Sequence, residues 1–239
     1  MEREWNNTRW VHQMWLAKIY DKILTQQEIQ NLYWEGQRRF GDRPSYPALL
    51  NGLQAYYDFN WDAQDVTVNQ NAWTVSWATL TTDHLGRSNH AYDFDGVNDY
   101  VQTTFPGISG TNSRTVEAWI RGPLSTSQEV IIDWGDMSIG HRFTVNLIGG
   151  KLRCEIGGSG VTGTTLVADN TWHHIAVTFN NSSANKYNTY VDGVLEASFN
   201  LPTTINTSST NNLIIGRRND AVNYYTGTID EVRIWNTDL

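Results

Sequence analysis

The stretch "AYDFDGVNDYV", residues 91–101, decides how the chain is read. Tyr92 and Phe94 alternate with Asp93 and Asp95, the period of a half-buried strand. Gly96 then breaks the run with a turn, and Tyr100 and Val101 continue the framework of an early strand and its turn. Three carboxylates sit in this stretch, Asp93, Asp95 and Asp99. They admit three chemistries: catalytic acids, a calcium site, or side chains capping a turn by accepting backbone N–H bonds.

Outward from this stretch the same period dominates. From about residue 53, "LQAYYDF", "TVEAWI", "EVIIDWG", "RFTVNLI", "KLRCEI", "HHIAVTF", "NTYVDG", "NLIIG" and "IDEVRIW" are short, aromatic or β-branched, and bounded by Gly, Asn or Asp. About ten such strands predict an all-β fold, a two-sheet antiparallel jelly-roll sandwich. "LIGGKL" and "VDGVL" are hairpin turns, where glycine supplies the positive φ that other residues resist.

The first 52 residues differ. In "LTQQEIQNLY" Thr25 is followed three residues on by Glu28, a capping box, and Ile29, Leu32 and Tyr33 share one helical face. Gly41 and Pro44 end this helix, and residues 44–52 read as a linker. "AKIYDKIL" (17–24) also echoes "VRIWNTDL" (232–239). The echo predicts that residues 1–43 hold the last strand and helix of a preceding repeat in a tandem array, and that 53–239 form the main domain. Deprived of their own sheet, residues 10–24 are expected to dock on an open edge of this domain or of a neighbouring chain, a route to self-association.

Composition narrows the function classes. The 239 residues are 39% hydrophobic and carry a net charge of −8, which disfavours nucleic acid, and no run is apolar enough to insert in a membrane. The single cysteine, Cys154, allows no internal disulfide and reads as a small core residue on a strand. "MEREWNNTRW" has no apolar centre and is not a signal peptide.

In order, "AYDFDGVNDYV", "TVEAWI", "TWHHIAVTF", "NTYVDGVLEAS", "NLIIGRR" and "YTGTIDEVRIWN" resemble the motifs of laminin G-like jelly-roll domains of the concanavalin A-like lectin and glucanase superfamily. The resemblance spans about Leu53 to Leu239. It implies a concave and a convex sheet packed face to face. It also implies an extracellular or cell-surface module that binds carbohydrate or protein, often with a structural calcium ion.

Asp95, Asp99 and Asp230 are the calcium candidates the resemblance supplies; the competing reading makes Asp95 and Asp99 turn caps and pairs Asp230 with an arginine. Laminarinase-type relatives carry E-x-D-x-E on one strand, a string absent here. The nearest, "EVIIDWGD", predicts Glu129 and Asp133 on one face with Ile131 where the middle acid should stand, so no catalytic residue is assigned. His173 and His174 are adjacent on a strand, face opposite ways, and cannot share an ion.

A sugar needs an aromatic platform and planar polar groups. The inter-strand segments offer Trp134 with Asp136, His141 with Arg142, Arg217 with Arg218 and Asn219, and Tyr224 with Tyr225. The resulting expectation is a carbohydrate- or protein-binding module from a repetitive surface protein. The alternatives are a polysaccharide hydrolase and a structural spacer in an adhesin-like array.

Seven of the eleven tryptophans fall within the first 77 residues. The resembling domains usually have glycine where Trp61, Trp73 and Trp77 stand. Two accounts are open: an exposed aromatic ligand surface, or a host that reads UGA as glycine. TGG at those codons would exclude the second.

Overall fold

The computed structural model describes residues 52–238, and the expected N-terminal strand, helix and docking segment lie outside them. Fifteen strands follow one another, with no helix among the described residues. They begin with β1 (Leu53–Tyr57), β2 (Trp73–Ser76), β3 (Thr79–Thr81), β4 (Ala91–Asp95) and β5 (Tyr100–Thr103). Next come β6 (Arg114–Arg121), β7 (Gln128–Gly135), β8 (Arg142–Ile148), β9 (Lys151–Ile156) and β10 (Ser159–Leu166). The last are β11 (His173–Phe179), β12 (Tyr187–Val191), β13 (Val194–Phe199), β14 (Ile214–Ile215) and β15 (Thr226–Trp235).

Two antiparallel sheets form the expected sandwich. One has the order β13-β12-β11-β6-β15-β4-β3, with β1 paired to the later half of β15. The other runs β10-β9-β8-β7-β14-β5-β2. Alternation along β6 sends Val116, Ala118 and Ile120 inward against Phe143, Val145 and Leu147 of β8 in one continuous core. Cys154 lies in that core, fully buried, and burial pushes its thiol up to about 12. The hairpin turns are as expected, with Gly149 and Gly150 (φ 56° and 72°) between β8 and β9 and Gly193 (φ 76°) between β12 and β13.

The structure adds five strands to the ten expected: β2, β3, β5, β10 and β13. Four of them are the sheet edges. An edge strand has one unpaired side, and β10 and β13 bury no residue fully, so neither carries a strong two-residue pattern.

Trp61 and Trp77 occupy left-handed backbone (φ 75° and 62°) and are 55% and 76% exposed. Trp73 instead opens strand β2 opposite Thr103. A bulky residue is strained at positive φ and glycine is not. Trp61→Gly and Trp77→Gly are each expected to raise stability by about 1 kcal/mol, read as a higher urea midpoint at unchanged m-value. A lower midpoint for both would show that the indole contacts, such as Trp61 edge-on to His90, outweigh the strain.

Candidate functional site

Strand pairing aligns one residue from each strand of the seven-stranded sheet into a row: Thr74, Gln102, Ile214, Asp133, Thr144, Glu155 and Gly160. Directly paired residues share a face. The neighbours of Asp133 and Thr144 along their strands, Ile132, Trp134, Phe143 and Val145, are core residues, so the row faces out of the sandwich. Asp133, Thr144 and Glu155 are nevertheless buried. The Arg217–Asn223 loop and Met137 cover them: the backbone N–H and side-chain amide of Asn219 each donate to Asp133 Oδ2 (2.9 Å), and the Arg142 guanidinium reaches Met137 Sδ.

The polar groups of this face form one network. Thr144 Oγ1 donates to Asp133 Oδ1 at 2.5 Å, and Arg142 Nε donates to Thr144 Oγ1 at 3.0 Å. A second nitrogen of Arg142 donates to Glu155 Oε1 at 2.5 Å. Glu155 Oε2 accepts from Gln128 and Asn146, with Arg153 Nε 3.4 Å away. Gly160 in β10 leaves the space that the Arg153 guanidinium fills. Asn146 Oδ1, Arg153 Nε and Arg217 Nε are buried without a hydrogen-bond partner, in a setting where most buried polar atoms are satisfied.

A β-bulge decides which acids meet. The pairing of β7 with β8 shifts between Val130 and Ile132. Glu129 therefore shares the inner face with Leu147, and Oε1 accepts the Thr226 N–H, while Asp133 faces outward. The expectation that Glu129 and Asp133 share a face is corrected: the extra residue reverses the phase between them. Both Asp133 oxygens accept hydrogen bonds, and the expected pair of Glu129 and Asp133 does not meet, because the two lie on opposite faces.

The same bulge corrects the expected position of Trp134. It lies in β7, fully buried against Phe143, with Nε1 donating to Ile108 O, and cannot serve as a surface platform. Tyr225 is also in the core, edge-on to Phe94, and burial raises its phenol well above the usual range. Arg142 engages the outward row through Glu155 and Thr144, whereas Arg218 makes a two-point bond to Asp220 within the covering loop. Arg217 lies over Tyr100, with Tyr224 beyond it. Asp136 and His141 meet at 3.4 Å in the β7–β8 turn, and hydrogen bonds from Ser138 hold the Asp136 carboxyl below the usual range. Asp133, Thr144, Asn146, Arg153 and Glu155 were not singled out as ligand residues from the sequence. The available signal was three adjacent expected strands with polar side chains at alternate positions.

The calcium candidates are separated, which corrects the expected triad. Asp95 and Asp99 cap their own turn: Asp95 Oδ1 accepts from Val97 and Asn98 N–H, and Asp99 Oδ2 from Asp95 N–H. Asp230 lies four residues along β15 from Thr226, the partner of Asp95, about 13 Å away at strand rise. It pairs with His84 Nδ1 at 2.9 Å, not with an arginine. Asp83, His84 and Asp230 are the one group among the described residues whose ligand atoms gather within 4.8 Å. Asp83 already receives two backbone N–H bonds and the Arg87 guanidinium, and His84 stacks flat on Trp119. These donors do not fit a hard cation that needs six to eight free oxygens.

Burial pushes the Asp133 carboxyl up to about 6, opposed by its hydrogen bonds to Thr144 and Asn219 and by Arg142. Between about pH 4 and 6 the folded chain holds a proton there that the unfolded chain has released, so this group's contribution to stability falls as pH rises. The penalty of Asp133→Asn is therefore expected to shrink by about 2–3 kcal/mol from pH 4 to pH 7. Urea unfolding of both proteins at the two pH values measures it, and a penalty that grows with pH would reverse the assignment.

A family model described as the Concanavalin A-like lectin/glucanases superfamily matches residues 94–239. No curated protein matches the sequence. Among solved structures, domain 4 of AbnA, a GH43 extracellular arabinanase from Geobacillus stearothermophilus in complex with arabinotriose, is 20% identical with TM-score 0.59, covering 79% of this chain and 94% of that one. A botulinum neurotoxin type C structure, described as dependent on two ganglioside molecules for cell entry, is 16% identical with TM-score 0.60. The binding domain of botulinum neurotoxin DC in complex with rat synaptotagmin II is 14% identical with TM-score 0.59. This chain spans about half the length of each toxin chain (49%), and 79% of it is covered in both matches. At these identities the likeness establishes the fold.

Proposed function

The chain belongs to the laminin G-like members of the Concanavalin A-like lectin/glucanases superfamily, and from that membership we propose that it is an extracellular carbohydrate-binding module whose ligand lies along the outer face of the seven-stranded sheet. One observation carries the proposal. Arg142, Asn146, Arg153 and Glu155 place planar hydrogen-bonding groups side by side on one sheet face, beneath the Arg217–Asn223 loop, with Asn146 Oδ1 and Arg153 Nε left unsatisfied among them. Sugar hydroxyls are met by such groups in pairs. The arabinotriose and ganglioside named for two structural neighbours support carbohydrate over other ligands, and the synaptotagmin complex makes a protein the second candidate.

The test is an array of plant, algal and animal glycans, probed with and without calcium and with chelator. Binding that is unchanged by chelator supports a carbohydrate site that needs no calcium. Binding that needs calcium would move the site to a cation not formed by Asp95, Asp99 and Asp230 as they stand. A blank array overturns the carbohydrate reading in favour of a protein partner or a spacer. Release of reducing ends from any polysaccharide would make the chain a hydrolase.

A further inference from the structure

Four guanidinium groups gather on or beside the outward row, and three have carboxylate partners. Arg142 is paired with Glu155 and lies 3.5 Å from Asp133, Arg153 lies against Glu155, and Arg218 is bonded to Asp220. Arg217 is the exception. No ion pair among the described residues engages it, although it is only 8% exposed. One terminal nitrogen donates to the carbonyls of Arg218 and Asn219, and Nε has no hydrogen-bond partner. Its Cζ lies 4.0 Å from the Tyr100 ring centroid and 6.0 Å from that of Tyr224.

We infer that the saccharide bound on this face carries a carboxylate, as in a uronic acid unit, and that Arg217 receives it. The inference rests on the reading of the face as a carbohydrate site. A buried cation without a counter-charge is costly to keep, and a ligand carboxylate removes that cost on binding. The guanidinium is a planar fork that matches a carboxylate at two points, a geometry a lysine cannot supply. Tyr100 lies on β5 two residues from Gln102 of the row, so the cation and the row face the same ligand. Tyr224, farther from the guanidinium than Tyr100, adds an aromatic face against which the C–H side of a sugar ring packs. The whole chain carries −8, so an anionic polymer is held by this local surplus and not by general attraction.

Calorimetric titration of the whole chain tests this with four hexasaccharides: oligogalacturonate, its methyl ester, a sulfated carrageenan oligomer and neutral maltohexaose. The acid form is expected to bind at least tenfold more tightly than the ester, with affinity falling as salt rises. Arg217→Lys, which keeps the charge but loses the fork, is expected to lose most of that discrimination, and Tyr224→Ala to weaken both forms alike. Melting temperatures identify any variant that fails to fold, and the acid-to-ester ratio in the intact chain stands without the variants.

Equal binding of acid and ester, or full discrimination retained by a folded Arg217→Lys, would overturn the assignment. Preference for the sulfated oligomer would overturn the carboxylate in favour of a sulfate ester. Binding of maltohexaose alone would defeat this inference and leave the carbohydrate reading intact. No binding of any of the four, with a blank glycan array, would defeat both.

Discussion

Replacing Arg114 by methionine is expected to destabilise the domain by about 2–4 kcal/mol, among the largest effects of any single substitution away from the candidate site. Arg114 opens β6 opposite Phe179 and points into the sandwich, fully buried. Its nitrogens donate to the carbonyls of Ile108, Gly110 and Asn112 and to Thr207 Oγ1, at 2.8–3.0 Å. Its Cζ lies 5.3 Å from the Phe143 ring centroid and 5.5 Å from that of Phe179. The cation is thus solvated by backbone oxygens and ring faces in place of a carboxylate. Methionine fills much of the volume but removes the guanidinium from Asn112 O and Thr207 Oγ1, while Trp134 Nε1 still reaches Ile108 O and the Gly110–Thr207 backbone pair remains. Guanidinium unfolding measures the loss, and Arg114→Lys is expected to recover only part of it, since one ammonium cannot reach all four acceptor sites. A change under 1 kcal/mol would mean that water replaces the guanidinium at no cost.

Arg142→Met is expected to remove ligand binding and to cost about 3–5 kcal/mol as well. The reason differs. Arg142 holds Glu155 directly and Asp133 through Thr144, so its loss leaves two buried carboxylates facing each other across β8. Raising stability by lowering pH separates this from a packing defect: Arg142 opposes the burial that raises the Asp133 carboxyl, so without it protonation of Asp133 should recover part of the loss as pH falls. A packing defect would give a pH-independent penalty. If a folded Arg142→Met kept its affinity, the ligand would lie elsewhere, and the rim formed by Asp136 and His141 would be the next place to look.

Much of the fold is legible in the sequence. The central strands announce themselves because a strand with one face in the core must alternate, as Tyr92 and Phe94 do in β4. The hairpin at Gly149–Gly150 is legible because only glycine adopts two successive left-handed conformations without strain. Edge strands are not legible, because β2, β3, β10 and β13 have little buried face to pattern. The candidate site is legible only in pieces. Arg142, Arg217 and Arg218 stand out as residue types, whereas Trp134 and Tyr225 stand out equally and belong to the core.

The sequence by itself determined the two-sheet sandwich, its main strands, the family, and the turn-capping option for Asp95 and Asp99. Periodicity and turn chemistry act over a few residues and can be read from a few residues. Only the tertiary structure decided which faces the acids take and which residues meet. One bulge in β7 reverses every side chain beyond it, sending Asp133 out while Glu129 and Trp134 both face in. The outward row joins residues as distant as Thr74 and Ile214, because strand order, not chain order, sets neighbours in a sheet. Asp230 meets His84, and Arg217 is left with surplus charge, for the same reason.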